Sequence, residues 1–327
     1  MVFRLAHLSD PHLAPLPRPR KRELASKRLV GYINWRRGRG KSHQADVLAA
    51  LIADLQRQAP DHVALTGDLL NLALKSELPP ALEWLEMLGP PGWVSVVPGN
   101  HDTYVRGALG RLESVWDAYM TGDAVAALPG GPDADGHEMA EADEAIFAGA
   151  PRFPYVRRRG PLALVGVSSG VPTAPFLATG RVGRRQRKRL RDLLTALGEE
   201  GLFRVVMVHH PPLPGTAKRL RRLTDGPRFM EVLREAGAEL VLHGHNHTRM
   251  LSWGHEDDEG AAPAMPIVGV PSASALPDAK RRKPGAAYNL YEIEGDAKGW
   301  SCHMRSRGVD PDGQVCDQGE AVRLFGP

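Results

Sequence analysis

The chain has 327 residues, 42% hydrophobic and 24% charged, enough apolar material for a substantial core, so a dominantly disordered polymer is excluded. Its two cysteines, Cys302 and Cys316, exclude a disulfide scaffold and read as free thiols, and no apolar run nears the ~18 residues of a membrane span. The formal net charge of +4 hides a segregation: 25 of the 42 Lys and Arg fall in the stretches 18–41, 181–191, 218–222 and 280–283, with Glu23 as their single acidic residue. Such a basic surface on an acidic body marks either solvated helix faces or a polyanion or anionic-membrane surface.

In chain order, Phe3–Ser9 reads as a buried strand, and its short apolar run passes directly into polar residues 9–12, which argues against a cleaved leader and for a cytoplasmic protein. Residues 15–41 form a Pro- and Arg-rich insert with the apolar cluster Leu29, Tyr32, Ile33 and Trp35. Asp46–Leu55 has helical spacing, His62–Thr66 is a strand, Leu78–Leu88 a helix and Trp93–Val97 a strand. Residues 130–144 form an acidic excursion loop. Leu162–Ser168 and Phe203–Val208 are strands separated by an amphipathic helix marked by Leu190, Leu193, Leu194 and Leu197. Phe229–Ala236 is helical and Glu239–Leu242 a strand, after which Met250–Trp253, Pro266–Val270, Tyr288–Ile293 and Trp300–Met304 read as strands. Alternating strands and helices imply parallel βαβ units, and residues 251–327 are expected to complete a second, more antiparallel sheet of one domain spanning 1–327.

Five polar clusters stand where strands end: Asp10-Pro11-His12, Gly67-Asp68, Gly99-Asn100-His101-Asp102, His209-His210 and Gly244-His245-Asn246-His247. Loops at the carboxyl ends of parallel strands converge on one crevice, so the clusters read as one site. Asp10 and His12, like His245 and His247, lie two apart, and an extended chain would point both members of each pair the same way. Carboxylate, imidazole and amide make a mixed O/N donor set that suits Mn²⁺, Fe²⁺/Fe³⁺ or Zn²⁺. Seven candidate ligands exceed one open catalytic ion; two ions sharing a carboxylate could hold a hydroxide and clamp phosphoryl oxygens. His7, His43, His62, His137, His255, His303 and His243 read as structural or solvated.

In this order, Asp-x-His, Gly-Asp, Gly-Asn-His-Asp, His and Gly-His-x-His resemble the calcineurin-like metallophosphoesterase superfamily over roughly residues 1–250. The run His209-His210-Pro211-Pro212-Leu213-Pro214 is most similar to its bacterial cyclic-nucleotide and glycerophosphodiester phosphodiesterase branch. The resemblance implies an α/β sandwich of two mixed β-sheets flanked by helices, a four-layer αββα fold. It implies a first divalent ion held by Asp10, His12 and His247, a bridging Asp68, and a second ion held by Asn100, His209 and His245. His101 would stabilise or protonate the leaving oxygen, Asp102 would orient its turn, and His210 would orient neighbours. Many relatives carry Asp where this chain has Asn71, and an amide cannot stabilise an imidazolium by charge.

The implied activity is hydrolysis of small phosphodiesters by metal-hydroxide attack. The basic stretches following the clusters would form a collar for anionic phosphate substrates, with Arg36, Arg37, Arg39 and Lys41 as candidate contacts. With its apolar cluster, the insert also reads as a lid or interfacial helix meeting an anionic inner membrane face. Three alternatives stand beside the phosphodiesterase: a lipid pyrophosphatase acting on UDP-diacylglucosamine, a DNA nuclease, and a metal-bound scaffold without catalysis. The 181–191 helix lacks the aromatic interleaving that base stacking needs, which disfavours nucleic acid.

Overall fold

The computed structural model describes residues 2–39, 43–123, 152–254, 265–277 and 284–326. Lys41, the side chain of Arg39, His137, His255, the 130–144 loop and the 280–283 basic stretch lie outside the described residues.

Strand β1 (Phe3–Leu8) buries Leu5 to Leu8 completely, as a strand covered on both faces must. It runs parallel to β2 (His62–Leu65), which runs parallel to β3 (Val94–Val96). The other edge of β1 pairs antiparallel with β10 (Ala287–Asp296), which pairs with β11 (Gly299–Val309). Strands β12 (Val315–Asp317) and β13 (Val322–Phe325) both pair with β11, giving a seven-stranded mixed sheet.

The second sheet has the order β4-β5-β6-β7-β9-β8. Its strands are β4 (Tyr155–Arg159), β5 (Leu162–Gly166), β6 (Phe203–Met207), β7 (Leu240–His243), β8 (Met250–Trp253) and β9 (Pro266–Gly269). Strands β5, β6, β7 and β9 are parallel, with antiparallel β4 and β8 at the edges.

Period-two alternation builds the layers. Leu162, Leu164, Phe203, Val205, Met207, Leu240 and Leu242 join the core shared with the first sheet. Ala163, Val165, Val206 and Val241 face the other way, onto Leu190, Leu194 and Leu197 of α7 (Arg184–Glu199) and Phe229, Met230 and Leu233 of α8 (Gly226–Ala236). Helices α3 (Ala45–Arg57) and α4 (Leu78–Leu88) cover the first sheet, with α5 (Ala108–Val115) and α6 (Asp117–Met120) following β3; α3 buries Leu48, Leu51, Ile52 and Leu55 at helical spacing. The expected αββα arrangement is therefore observed.

One detail is corrected. The strands after Met250 do not all complete a second sheet: β8 and β9 enter the sheet of β6 and β7, whereas β10 to β13 extend the sheet that begins with β1. Apolar patterning marks a strand, but the edge it joins is decided by which strand offers unpaired backbone groups, here β1 on the side away from β2.

Candidate metal centre

The loop after β1 runs beside the loop after β2. The backbone N–H groups of Asp10, His12 and Leu13 donate to the carbonyls of Gly67, Asp68 and Leu69 at 2.9, 3.0 and 2.9 Å. The loop after β7 is tied in when His245 N–H donates to Asp10 Oδ2 (2.9 Å), and the loop after β6 when His209 Nδ1–H donates to Thr66 O (2.7 Å). Ends of both sheets thus meet in one place. The extended-chain reason for pairing Asp10 with His12 and His245 with His247 is not what is found. Their φ angles are 53°, 39°, 71° and 54°, and Asp68 adopts 56°. Five candidate ligands hold left-handed backbone that costs on the order of 1–3 kcal/mol each, a concentration of strain expected at a functional site. Two glycines make room: a Cβ at Gly99 would strike the Asp68 carboxylate, and one at Gly244 would strike Ser9 and Asp10.

The seven candidate ligands form two halves around Asp68. In the first, His247 Nε2 lies 3.1 Å from Asp10 Oδ1 and 3.3 Å from His12 Nε2. In the second, His209 Nε2 lies 3.2 Å from both Asn100 Oδ1 and His245 Nδ1. Asp68 Oδ2 stands between them, 3.8 Å from His12 Nε2 and 3.3 Å from His209 Nε2.

The donor chemistry fits metal ions. His12 donates Nδ1–H to Leu70 O (3.1 Å), as His209 does to Thr66 O, so in their neutral forms both turn an Nε2 lone pair inward. Lone pairs and carboxylate oxygens facing one another repel unless a cation lies among them. Without metal, a proton answers part of this demand. Burial disfavours a charged His209, but the Asp68 charge and hydrogen bond overcome it and raise its pKa to about 9. Burial likewise opposes ionisation of the carboxylates, yet His247 and His209 hold Asp10 well below the usual range, and His209 and His101 bring Asp68 to about 2. His245 and His210 are held neutral by burial first and by neighbouring histidines second. Divalent ions would replace the shared proton.

Around this set, Asp102 accepts the backbone N–H groups of Asp68, Gly99 and Leu70 at 2.7, 2.8 and 2.9 Å, locking two of the turns together. Burial and the Asp68 charge push its pKa up to about 7 despite those bonds. His101 donates Nδ1–H to the backbone carbonyl of Asn71 (2.6 Å). The Asn71 side chain turns elsewhere, donating to Leu13 O (2.9 Å), so residue 71 orients His101 through its main chain. Glu77 explains why: its buried carboxylate collects the N–H groups of Asn71, Leu72 and Leu74, fixing that turn. Sequence reasoning missed Glu77, although an acidic residue opening the helix with Pro79 and Pro80 in its first turn was a usable signal. His210 donates to Ala178 O (3.3 Å), accepts from Ser169 Oγ (2.8 Å) and packs against the His245 ring at 4.5 Å, so both its nitrogens are engaged away from the candidate ligands.

The insert forms α1 (Lys21–Leu24), α2 (Arg28–Asn34) and a π-helical turn (Trp35–Arg39). Tyr32 and Trp35 pack onto Leu16, Leu72, Leu74 and Tyr104, leaving Leu29 and Ile33 exposed beside exposed Arg36 and Arg37. The Lys27 ammonium sits 4.1 Å from the centre of the Tyr104 ring and donates to Thr173 Oγ1 (3.0 Å). Tyr104 in turn stacks on His101 at 5.5 Å and 16°. The exposed 218–222 stretch belongs to the loop whose Thr216 carbonyl accepts from Asn246, between His245 and His247. In the 181–191 stretch, Arg187 pairs with Asp225 and Arg191 with Glu235 (2.7 Å), clamping α7 to α8, while Arg181, Arg184 and Arg185 stay exposed. His7 and His62 are buried and neutral, bonded to Thr66 and Ser95, and His303 is exposed, as expected of structural or solvated residues. His43 is different. It lies against His12 and His247, among the candidate ligands.

A probable cyclic nucleotide phosphodiesterase of Synechococcus sp. is 27% identical over 207 residues, covering 62% of this chain and 64% of that relative's length. A dimetal phosphatase from Danio rerio superposes with a TM-score of 0.59 at 13% identity, covering 99% of this chain and 98% of that one. Purple acid phosphatase from yellow lupin seeds (Lupinus luteus) superposes with a TM-score of 0.51 at 14% identity, covering 97% of this chain and 53% of that one. At such identities the two structures speak to fold alone. The family model for calcineurin-like phosphoesterases matches residues 3–249, and with that match across most of its length the chain belongs to the calcineurin-like phosphoesterase family.

Proposed function

We propose that the protein is a dinuclear-metal phosphoric ester hydrolase whose substrate is a small phosphodiester. The observation that carries this is Asp68 Oδ2 standing between two sets of imidazoles, 3.8 Å from His12 and 3.3 Å from His209. Two divalent ions, when bound, supply an activated water and neutralise phosphoryl charge. The mixed O/N donors favour Mn²⁺, Fe²⁺/Fe³⁺ or Zn²⁺.

The chain's own residues do the rest. Asp10, His12 and His247 would hold one ion, Asn100, His209 and His245 the other, with Asp68 shared. His101, anchored through Nδ1 to Asn71 O, presents Nε2 to the leaving oxygen. Because its anchor is a neutral carbonyl, the imidazolium form gains less than it would from a carboxylate. Lys27, beside Tyr104, adds a cation for the substrate phosphate, and Arg36 and Arg37 extend that field outward.

A second reading is favoured by the exposed apolar side chains Leu29, Ile33, Phe176 and Leu220. Leu29 and Ile33 share the insert with Lys27, Arg36 and Arg37, Leu220 lies within 218–222, and Phe176 is on the neighbouring stretch whose Ala178 N–H donates to Leu220 O (2.9 Å), a combination that fits a phosphate ester bearing an acyl chain, such as UDP-diacylglucosamine, met at an anionic membrane face. No helix among the described residues is long and apolar enough to cross a membrane, so such contact would be peripheral.

The test is a substrate panel with Mn²⁺-loaded protein: bis-p-nitrophenyl phosphate, p-nitrophenyl phosphate, cyclic nucleotides, glycerophosphodiesters, UDP-diacylglucosamine and single-stranded DNA. The proposal expects diesters to exceed the monoester in kcat/KM and chelation to abolish turnover. Turnover confined to UDP-diacylglucosamine selects the second reading. No turnover of any phosphate ester sinks both.

A further inference from the structure

His43 closes the insert, and its neighbours are not those of an ordinary core histidine. Its backbone bridges Ala275, and Gln44 N–H donates to Ser274 O at 3.0 Å, joining the end of the insert to the loop after β9. The side chain is buried, 5% exposed. Its Nδ1 lies 2.7 Å from Ser274 Oγ and 3.4 Å from Ser272 Oγ. Ser272 Oγ also donates to Asp10 O at 2.6 Å, so the support of His43 is bonded to the turn that carries Asp10.

The ring meets His12 edge-on at 4.7 Å between centroids and lies 5.8 Å from His247. One ring nitrogen from each of His12, His43 and His247 falls within 4.8 Å of the other two. Metal–imidazole bonds of about 2.0–2.1 Å put two nitrogens on one ion no more than about 4.2 Å apart. The three are thus within a fraction of an ångström of a shared position. A hydroxyl on one ring nitrogen, held in turn by the main chain, is the usual arrangement that fixes the tautomer and ring plane of a ligating histidine.

We propose that His43 is a third imidazole ligand to the ion held by Asp10, His12 and His247, an inference that rests on the dinuclear reading above. The first half then offers three nitrogens and two carboxylates, against two nitrogens, an amide oxygen and the shared carboxylate in the second. The two positions differ in donor softness, so the nitrogen-rich one prefers Zn²⁺ or Co²⁺ over Mn²⁺ more strongly than its neighbour does. It also gives the insert a structural stake in the centre, because the segment that brings in Lys27 ends on a ligand.

The test uses the full chain stripped of metal and reloaded with Co²⁺ for proton NMR, or with Mn²⁺ for equilibrium dialysis. In wild-type protein labelled with ¹⁵N-histidine, the proposal expects ligand-type hyperfine shifts for His12, His43, His209, His245 and His247. A spectrum in which His43 alone lacks such a shift overturns it, and this readout needs no variant. His43→Ala and His43→Gln, the latter keeping a polar side chain in the pocket, should each weaken one of the two Mn²⁺ sites. The expected loss exceeds the roughly 10–100-fold that removal of a supporting partner costs. Wild-type affinities in both variants overturn the proposal. So does a loss of affinity with no His43 hyperfine shift in the wild-type protein, which makes His43 a positioning residue. His247→Ala separates the two levels. If wild-type protein binds fewer than two ions, the dinuclear reading itself fails; if His247→Ala retains both ions at wild-type affinity, the ligand set assigned to the first ion fails. If it loses one while the His43 variants lose nothing, only the role of His43 fails.

Discussion

The two halves of the centre hold their imidazoles in different ways. The half at the ends of β3 and β6 is part of the core: the His209 side chain is fully buried, bonded to Thr66 O and enclosed by the rings of His210 and His245 at 5.0 and 5.1 Å. The half at the ends of β1 and β7 buries Asp10 and His12 just as deeply but opens at one residue: the His247 side chain is 29% exposed on a left-handed turn, and the insert arrives there through His43. Both halves sit on loops at strand ends, but one is closed on all sides and the other is open at His247. The lesson is that candidate ligands gathered around one carboxylate need not be tied into the fold equally.

The largest effect is expected where the halves join. Asp68→Asn removes the shared anion, and with it several kcal/mol of charge stabilisation, so hydrolysis should fall by about 10³-fold or more and bound metal should drop, as read by rates and elemental analysis. Wild-type turnover with both ions retained would break the bridged picture.

His101→Ala comes next. It should leave both ions bound and cost about 10²–10⁴-fold for esters with poor leaving groups, the range of a positioned acid. The loss should shrink for p-nitrophenyl esters. Equal losses for both would mean that His101 acts on phosphoryl charge rather than on the leaving oxygen.

The contrast between the halves is sharpened by paired alanines measured without metal. His209→Ala opens a buried cavity and removes one of the two donors to Thr66 O, leaving only Ser9 Oγ, and should lower unfolding free energy by about 2–4 kcal/mol in urea titrations. His247→Ala, at a partly exposed turn, should change it by less than about 1 kcal/mol while still losing metal. Equal destabilisation would erase the distinction.

How much of this was legible follows the same division. The strands and helices that bury apolar side chains on a regular period, such as α3 and β6, were readable from spacing alone. The candidate ligands could be picked out because they stand at strand ends in a recognisable order, and the structure brings them together. The reason given for their pairing was not, since a left-handed φ at Asp10, His12, His245 and His247 leaves no mark on a pattern of residue types. His43 was hidden because its relation to His12 depends on the loop after β9, more than two hundred residues away, where Ser272 and Ser274 look like ordinary turn residues. Asn71 misled for a related reason: its side chain invited comparison with a carboxylate, whereas its backbone carbonyl meets His101. The destination of β10 was hidden because an edge is chosen by three-dimensional pairing, not by apolar pattern.

The smallest predicted effect is at the rim. Burial lowers the Lys27 ammonium to about 8, so it is a cation below that pH and neutral above it. Its attraction for an anionic diester should therefore fade as pH rises through about 8. Lys27→Met should lower kcat/KM about 3–10-fold at pH 7, lose less at high salt and flatten that limb. Lys27→Arg should keep kcat/KM level through pH 9. An unchanged pH profile in Lys27→Met would remove Lys27 from substrate attraction.

The central claim is that Asp68 couples two ions held by unlike halves, and electron paramagnetic resonance of protein titrated with Mn²⁺ tests it most directly. The account predicts two Mn²⁺ per chain with an exchange-coupled spectrum, reduced in Asp68→Asn to the signal of isolated Mn²⁺. A wild-type protein that saturates at a single ion with an isolated six-line signal would contradict it.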